Sequence, residues 1–155
     1  MPTFAVSHIA IGVRNLEASL HFYRDLLGGL HVSREQEEEM SGLAGKPSVR
    51  RAAYLRWNEG PRETFLVLDE QVTDEPHGEP AKMFQIGVRH FGFWIDDLEE
   101  TFQRLVEAGV KVMHAPVRPE RSTSERYGEE PGKKIMGCFV YDPDGFIVQL
   151  DQRLD

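Results

Sequence analysis

Two histidines of this 155-residue chain stand at matching places in two similar stretches. His8 opens "HIAIGVRNLEASLHFYRDLLGG" and His90 opens "HFGFWIDDLEETFQRLVEAG"; they are 90 − 8 = 82 residues apart, just over half the chain. Imidazole is the commonest metal ligand among side chains. One histidine on a strand is more often held by an ordinary hydrogen bond. Two at repeat-equivalent positions point to a shared role, and binding one metal ion is a role they could share. The other histidines, His21, His31, His77 and His114, fall on polar faces or in loops and read as solvated.

The elements that must position this pair follow from periodicity. Residues 6–13 alternate and are rich in β-branched side chains, which predicts a strand. Asn15 is a helix N-cap, and Leu16, Leu20, Tyr23, Leu26 and Leu27 follow at helical spacing until the pair Gly28–Gly29 stops the helix. A strand at about 30–37 comes next, then the loop "EMSGLAGKPS". The strands "VRRAAYLRW" and "ETFLVLD" follow, joined by the turn "NEGP". After a connector at 71–87 with two prolines and two glycines, the order repeats. A strand at 88–95, a helix at about 97–108 and a strand at 110–115 precede a long loop at 116–133. Two strands at 134–141 and 146–152, joined by the turn "DPDG", end the unit. "VLD" at 67–69 and "QLD" at 149–151 keep the same offset, 149 − 67 = 82. The expected fold is α+β. Two tandem βαβββ modules, 1–70 and 88–155, form a cupped, partly closed mixed sheet with helices outside, together one compact domain.

Strand residues alternate between faces. Ile9, Ile11 and Val13 form a bulky face that packs under the helix, which leaves His8, Ala10 and Gly12 on the other. In the twin strand Phe91, Phe93 and Ile95 oppose His90, Gly92 and Trp94. In the last strand Phe146, Val148 and Leu150 face the core, so Gln149 faces away from it, and its twin position is Val67. Two sheets related by a pseudo-twofold axis would bring His8, Val67, His90 and Gln149 together inside the cup.

Composition narrows the function classes. Apolar residues make up 40% and charged residues 28%, the balance of a soluble globular chain. No stretch approaches the roughly 18 consecutive apolar residues of a membrane span, and the N-terminus has no basic leader. A net charge of −8 argues against nucleic acid as the main partner. Cys138 is the only cysteine, so an internal disulfide and a cysteine zinc site are excluded, and a reducing cytoplasm is expected. The acidic run "EQEEE" at 35–39 reads as a solvated strand end or loop, and Tyr54, Trp57 and Phe139 as packing residues.

The stretches "HIAIGVRNLEASLHFYRDLLG", "VRHFGFWIDDLEETFQRLVEAGV" and "YDPDGFIVQLDQ" together resemble the vicinal oxygen chelate superfamily. That group includes glyoxalase I, extradiol dioxygenases, methylmalonyl-CoA epimerase, and the fosfomycin- and bleomycin-resistance proteins. The resemblance implies a divalent metal (Fe, Mn, Ni, Co or Zn) between the modules, chelating two vicinal oxygens of a small substrate. It implies ligands at His8, His90 and Gln149, with Val67 at the fourth position, and a homodimer. Valine cannot bind metal, so the four-ligand site typical of glyoxalase I is not intact. Gln149 replaces the usual glutamate, which keeps an oxygen donor but removes a charge that matters at roughly 4 Å from a divalent ion. Extradiol dioxygenases place a tyrosine ten residues before the carboxylate ligand; that position here is Phe139. Their acid/base histidine aligns with Arg62, which marks down oxygen-dependent ring cleavage. No general base is assigned; Asp151, Tyr127 and Glu129 are the candidates. The alternative is a metal-free binding protein of the bleomycin-resistance type, with Val67, Trp94, Phe139 and Ile147 as apolar walls and Tyr127 in a loop that folds over the ligand.

Overall fold

The computed structural model describes residues 5–41, 47–117 and 134–154. Contacts divide the chain into two compact units, Met1–Gly78 and Glu79–Asp155, and the division falls inside the connector. The first unit runs β1 (His8–Val13), α1 (Leu16–Leu20), a π-helical stretch (His21–Leu26), β2 (His31–Ser41), β3 (Pro47–Arg56) and β4 (Phe65–Gln71). The second runs β5 (His90–Trp94), α2 (Leu98–Glu107), β6 (Val112–His114), β7 (Ile135–Tyr141) and β8 (Ile147–Arg153). Each unit carries one four-stranded mixed sheet, in the orders β1-β4-β3-β2 and β5-β8-β7-β6. In each, the first strand pairs in parallel with the last, and the other pairs are antiparallel. The fold is the α+β arrangement of two βαβββ modules that periodicity predicts.

Local chemistry explains where the helices begin and end. The Asn15 side chain accepts a hydrogen bond from the Ala18 amide at 2.8 Å, and Asp97 caps α2 through the Glu100 amide at 2.9 Å. Gly28 and Gly29 end the first helical segment with φ of 76° and 77°, a region that favours glycine. Inside the π-helical stretch the turns are wider: the Leu27 amide bonds the Phe22 carbonyl, five residues back, at 3.0 Å. In the first unit α1 packs Leu16 and Leu20 against the β3 and β4 face that carries Leu55, Leu66 and Leu68, and Phe22 and Tyr23 of the π-helical stretch are buried too. In the second, Leu98 and Leu105 meet the face of Val148 and Leu150. Burial of large aliphatic and aromatic side chains of this kind contributes about 1.5–3 kcal/mol each before chain entropy is subtracted.

Two details differ from the sequence expectation. β2 does not stop near residue 37 but continues to Ser41, so the acidic run lies within a strand. Cross-strand charge accounts for this, since Glu37 stands opposite Arg51 and Glu38 opposite Arg50. The first helix is also only partly α-helical. The turn "DPDG" forms as expected: Asp142 Oδ1 accepts from the Asp144 and Phe146 amides at 3.0 and 2.8 Å. Among the described residues no helix is long and apolar enough to cross a membrane.

Candidate functional site

The strands β5 and β8 line a concavity of the second unit, with β7 beside β8 in the same sheet. In their register Gly92 lies beside Gln149 and Trp94 beside Asp151, while Phe139 pairs with Gln149 and Gly137 with Asp151. Because side chains alternate, His90, Gly92, Trp94, Gln149, Asp151, Phe139 and Gly137 share the face away from α2. A cavity of ≈ 350 Å³ opens there, lined by β5 (His90–Trp94) with Gln149 and Asp151.

Two buried polar side chains sit at its floor. Gln149 is 8% exposed and Asp151 5%. The Gln149 amide nitrogen donates to both carboxylate oxygens of Asp151, at 2.9 Å each. A carboxylate only accepts, so the amide nitrogen must be the end that meets it, and the carbonyl oxygen Oε1 is turned the other way. Glycines on the neighbouring strands leave room for Asp151. A Cβ at Gly137 would stand 2.5 Å from Asp151 Oδ1, and one at Gly92 would stand 3.3 Å from Oδ2. His90 packs edge-on against Phe139 with ring centroids 5.7 Å apart. Its Nδ1 is buried and has no hydrogen-bond partner among the described residues, an unmet polar valence of a kind that native structures seldom leave. Trp94 is half exposed at the rim, with the Arg153 guanidinium 5.8 Å from its ring centre.

The equivalent face of the first unit is charged. His8 stacks on Phe65 at 5.2 Å, and its Nδ1 lies 2.9 Å from the Ser7 hydroxyl. The Arg56 guanidinium also lies over Phe65, 4.4 Å from the ring centre. Arg50 reaches Asp69 at 2.8 Å, pairs with Glu38, and approaches the Tyr54 hydroxyl, to which Gln36 donates at 3.0 Å. Burial raises the Asp69 carboxyl above its ordinary pKa, and nearby Glu38 adds to this, while Arg50 opposes it. Val67 lies buried in this face between Ala10 and Tyr54.

The candidates named from sequence therefore fall as follows. His90, Gln149, Trp94 and Asp151 line one cavity, with Phe139 packed beside them. His8 and Val67 share the open face of the other sheet. Tyr127 and Glu129 lie outside the described residues. Ile147 is buried, and Arg62 is exposed on the turn before β4. His21 and His31 are exposed, paired with Asp25 and Glu59. His114 is exposed but also stacks edge-on against Phe139, at 6.2 Å. Burial pushes the Cys138 thiol up to about 12, which removes it as a nucleophile. Sequence reasoning missed the Gln149–Asp151 bond and the Arg50–Asp69 pair. A glycine inside the strand pattern "IMGCFVY" was the available signal, because such a glycine marks a close approach.

Among the described residues no group of three or more His, Cys, Asp and Glu side chains is gathered as a metal cluster. The donors of the second unit nonetheless suit part of a divalent site. They are an imidazole with an unsatisfied nitrogen and an amide whose oxygen end is turned from its partner.

Fold and site together define a duplicated βαβββ protein with a cavity on the open face of one sheet. The chain belongs to the Glyoxalase/Bleomycin resistance protein/Dioxygenase superfamily, whose family model matches residues 5–150. A probable chloroplastic lactoylglutathione lyase of Arabidopsis thaliana is 23% identical over 146 residues, 94% of this chain and 35% of that protein. The chain thus spans about a third of the length of that relative. Among solved structures, a glyoxalase family protein from Bacillus cereus superposes with a TM-score of 0.77 at 16% identity, over 100% of this chain and 97% of the other. Glyoxalase I from Zea mays gives 0.64 at 18% identity, over 96% of this chain and 44% of that one. At these identities the structural matches establish the fold alone.

Proposed function

We propose that the protein is a divalent-metal-dependent enzyme of the vicinal oxygen chelate type, acting as a lyase or isomerase on a small oxygenated substrate. The observation that carries this reading is the Gln149 amide. It is buried, fixed by Asp151 and turned with its oxygen away from that partner, beside a histidine with an unsatisfied buried nitrogen. His90 and Gln149 would hold the ion, with His8 from the other module as third ligand. When bound, such an ion supplies Lewis acidity to two adjacent substrate oxygens. The chain's own residues do the rest. Trp94 and Phe139 give apolar walls that orient the substrate and exclude water, and Val67 leaves one ligand position unfilled by protein. Phe139 and Arg62, standing where ring-cleaving dioxygenases carry tyrosine and histidine, weigh against oxygen chemistry. The working form would be a homodimer in a reducing, cytoplasmic compartment, which a buried thiol and no disulfide suit.

The apolar Val67, and the lack of a metal cluster of His, Cys, Asp and Glu among the described residues, favour a second reading. In it the cavity is a metal-free pocket that sequesters an apolar ligand. Elemental mass spectrometry of the untagged protein separates the two. About one metal per chain, lost in His8→Ala and in His90→Ala, is expected of the enzyme. A wild type that stays free of metal after incubation with Fe(II), Mn(II), Ni(II) and Zn(II) would sink that reading in favour of the binding protein.

A further inference from the structure

We infer that Asp151 is a positioning residue that acts through Gln149: it holds the amide nitrogen, presents the carbonyl oxygen as a donor, and lends it charge. The inference rests on the metal reading above. A ligating glutamate would bring its own negative charge. Here the ligand is neutral, but its nitrogen donates to a full carboxylate through two contacts of 2.9 Å. Such a bond shifts electron density toward the amide oxygen, the end turned away from Asp151 and the one that would meet a cation. The charge is displaced by two residues along β8 and kept on the same face.

The surroundings are shaped for this arrangement. Asp151 is 5% exposed, and its oxygens occupy the space that side chains at positions 137 and 92 would take. Two neighbouring strands thus carry glycine where they flank this one carboxylate. A structural role alone would be served by any hydrogen-bonded pair. A supporting role for a ligand requires this polarity, with the acceptor at 151 and the donor at 149.

The pair can therefore be tested by inversion. In Gln149→Glu two carboxylates meet at hydrogen-bond distance and repel. In the Gln149→Glu/Asp151→Asn double variant the amide supports the carboxylate, and the net charge is that of the wild type. Thermal melting of the full chain should show Gln149→Glu lowered on the order of 5 °C, and the double variant restored to within about 2 °C of wild type. Calorimetric titration with Ni(II) chloride should show Asp151→Ala weakened roughly 10- to 100-fold, with the double variant binding at least as tightly as wild type. Should Asp151→Ala bind Ni(II) with wild-type affinity, the positioning role is wrong while the metal reading stands. A double variant no more stable than Gln149→Glu also overturns it. A wild type that binds no Ni(II), Zn(II) or Mn(II) overturns the metal reading, and the positioning role falls with it.

Discussion

Asp69 and Asp151 are twins, separated by 151 − 69 = 82 residues and placed on the open faces of the two sheets. In the first module the carboxylate meets the Arg50 guanidinium at 2.8 Å, and Ala52 stands opposite it on the neighbouring strand. In the second it receives the Gln149 amide nitrogen, and glycine stands opposite. The position that Arg50 fills across from Gln71 is taken by Ile135 across from Arg153. One module places a cation beside its half-buried carboxylate. In the other the carboxylate accepts from a neighbouring amide at the floor of a cavity. Duplication supplied two equal frames, and the two aspartates differ in their partner: a guanidinium in one, an amide in the other.

The largest test of this comparison is Arg50→Met. It strands Asp69 and Glu38 side by side on a half-exposed face, and a loss of about 2 kcal/mol in chemical denaturation is expected. The pH dependence has a definite sign. The Asp69 carboxyl is already raised above its ordinary value by burial, and loss of Arg50 raises it further. Its ionised form then destabilises the fold at neutral pH, so the deficit should shrink as pH falls through the folded pKa toward the ordinary carboxylate range. A deficit that grows on acidification would break the assignment.

Gly137→Ala sharpens the comparison from the other side. The added methyl would lie 2.5 Å from Asp151 Oδ1 and 3.4 Å from the Leu150 carbonyl. A cost of about 1–2 kcal/mol is expected, with displacement of the carboxylate and weaker Ni(II) binding. The first module already carries alanine at the matching place, Ala52. Equal tolerance of alanine at both sites in urea melts would show that the two carboxylates are not held differently. The smallest effect lies away from both faces. The Arg24 side chain holds the Asp25 carboxyl at about 2, with His21 adding to this. Its contribution would be present above the ordinary carboxylate pKa and lost as pH falls toward 2. Because both side chains are about two-fifths exposed, Asp25→Asn should change stability by under about 0.5 kcal/mol at pH 7.

Much of this was legible in the chain before any coordinates. Strand and helix order came from periods of two and 3.6, and the shared offset from His8/His90 and Val67/Gln149 revealed the duplication. Alternation alone placed Gln149 opposite the core face of Val148 and Leu150, and the burial of those two leucine- and valine-bearing positions agrees. What stayed hidden depends on the exact register between neighbouring strands. Arg50 meets Asp69 because β3 and β4 run antiparallel in one register, and Gly137 meets Asp151 by the same logic in β7 and β8. The reach of β2 was missed because a run of glutamates reads as solvated until the arginines across from it are known.

The π-helical stretch bears on how the two copies can differ in length without differing in form. The helices begin 98 − 16 = 82 residues apart, at Leu16 and Leu98, but the glycines that end them, Gly28 and Gly109, are only 109 − 28 = 81 apart. The first copy therefore carries one residue more between helix start and stop. In an unbroken α-helix that residue would rotate all that follows by about 100° and turn the chain away from its sheet. The wider turns at His21–Leu26 take up the surplus, so both helices hand the chain on at a left-handed glycine, with φ of 76° and 78°. The wide turn works as a leap day does in a calendar, absorbing one extra count so that the cycle on either side stays in step.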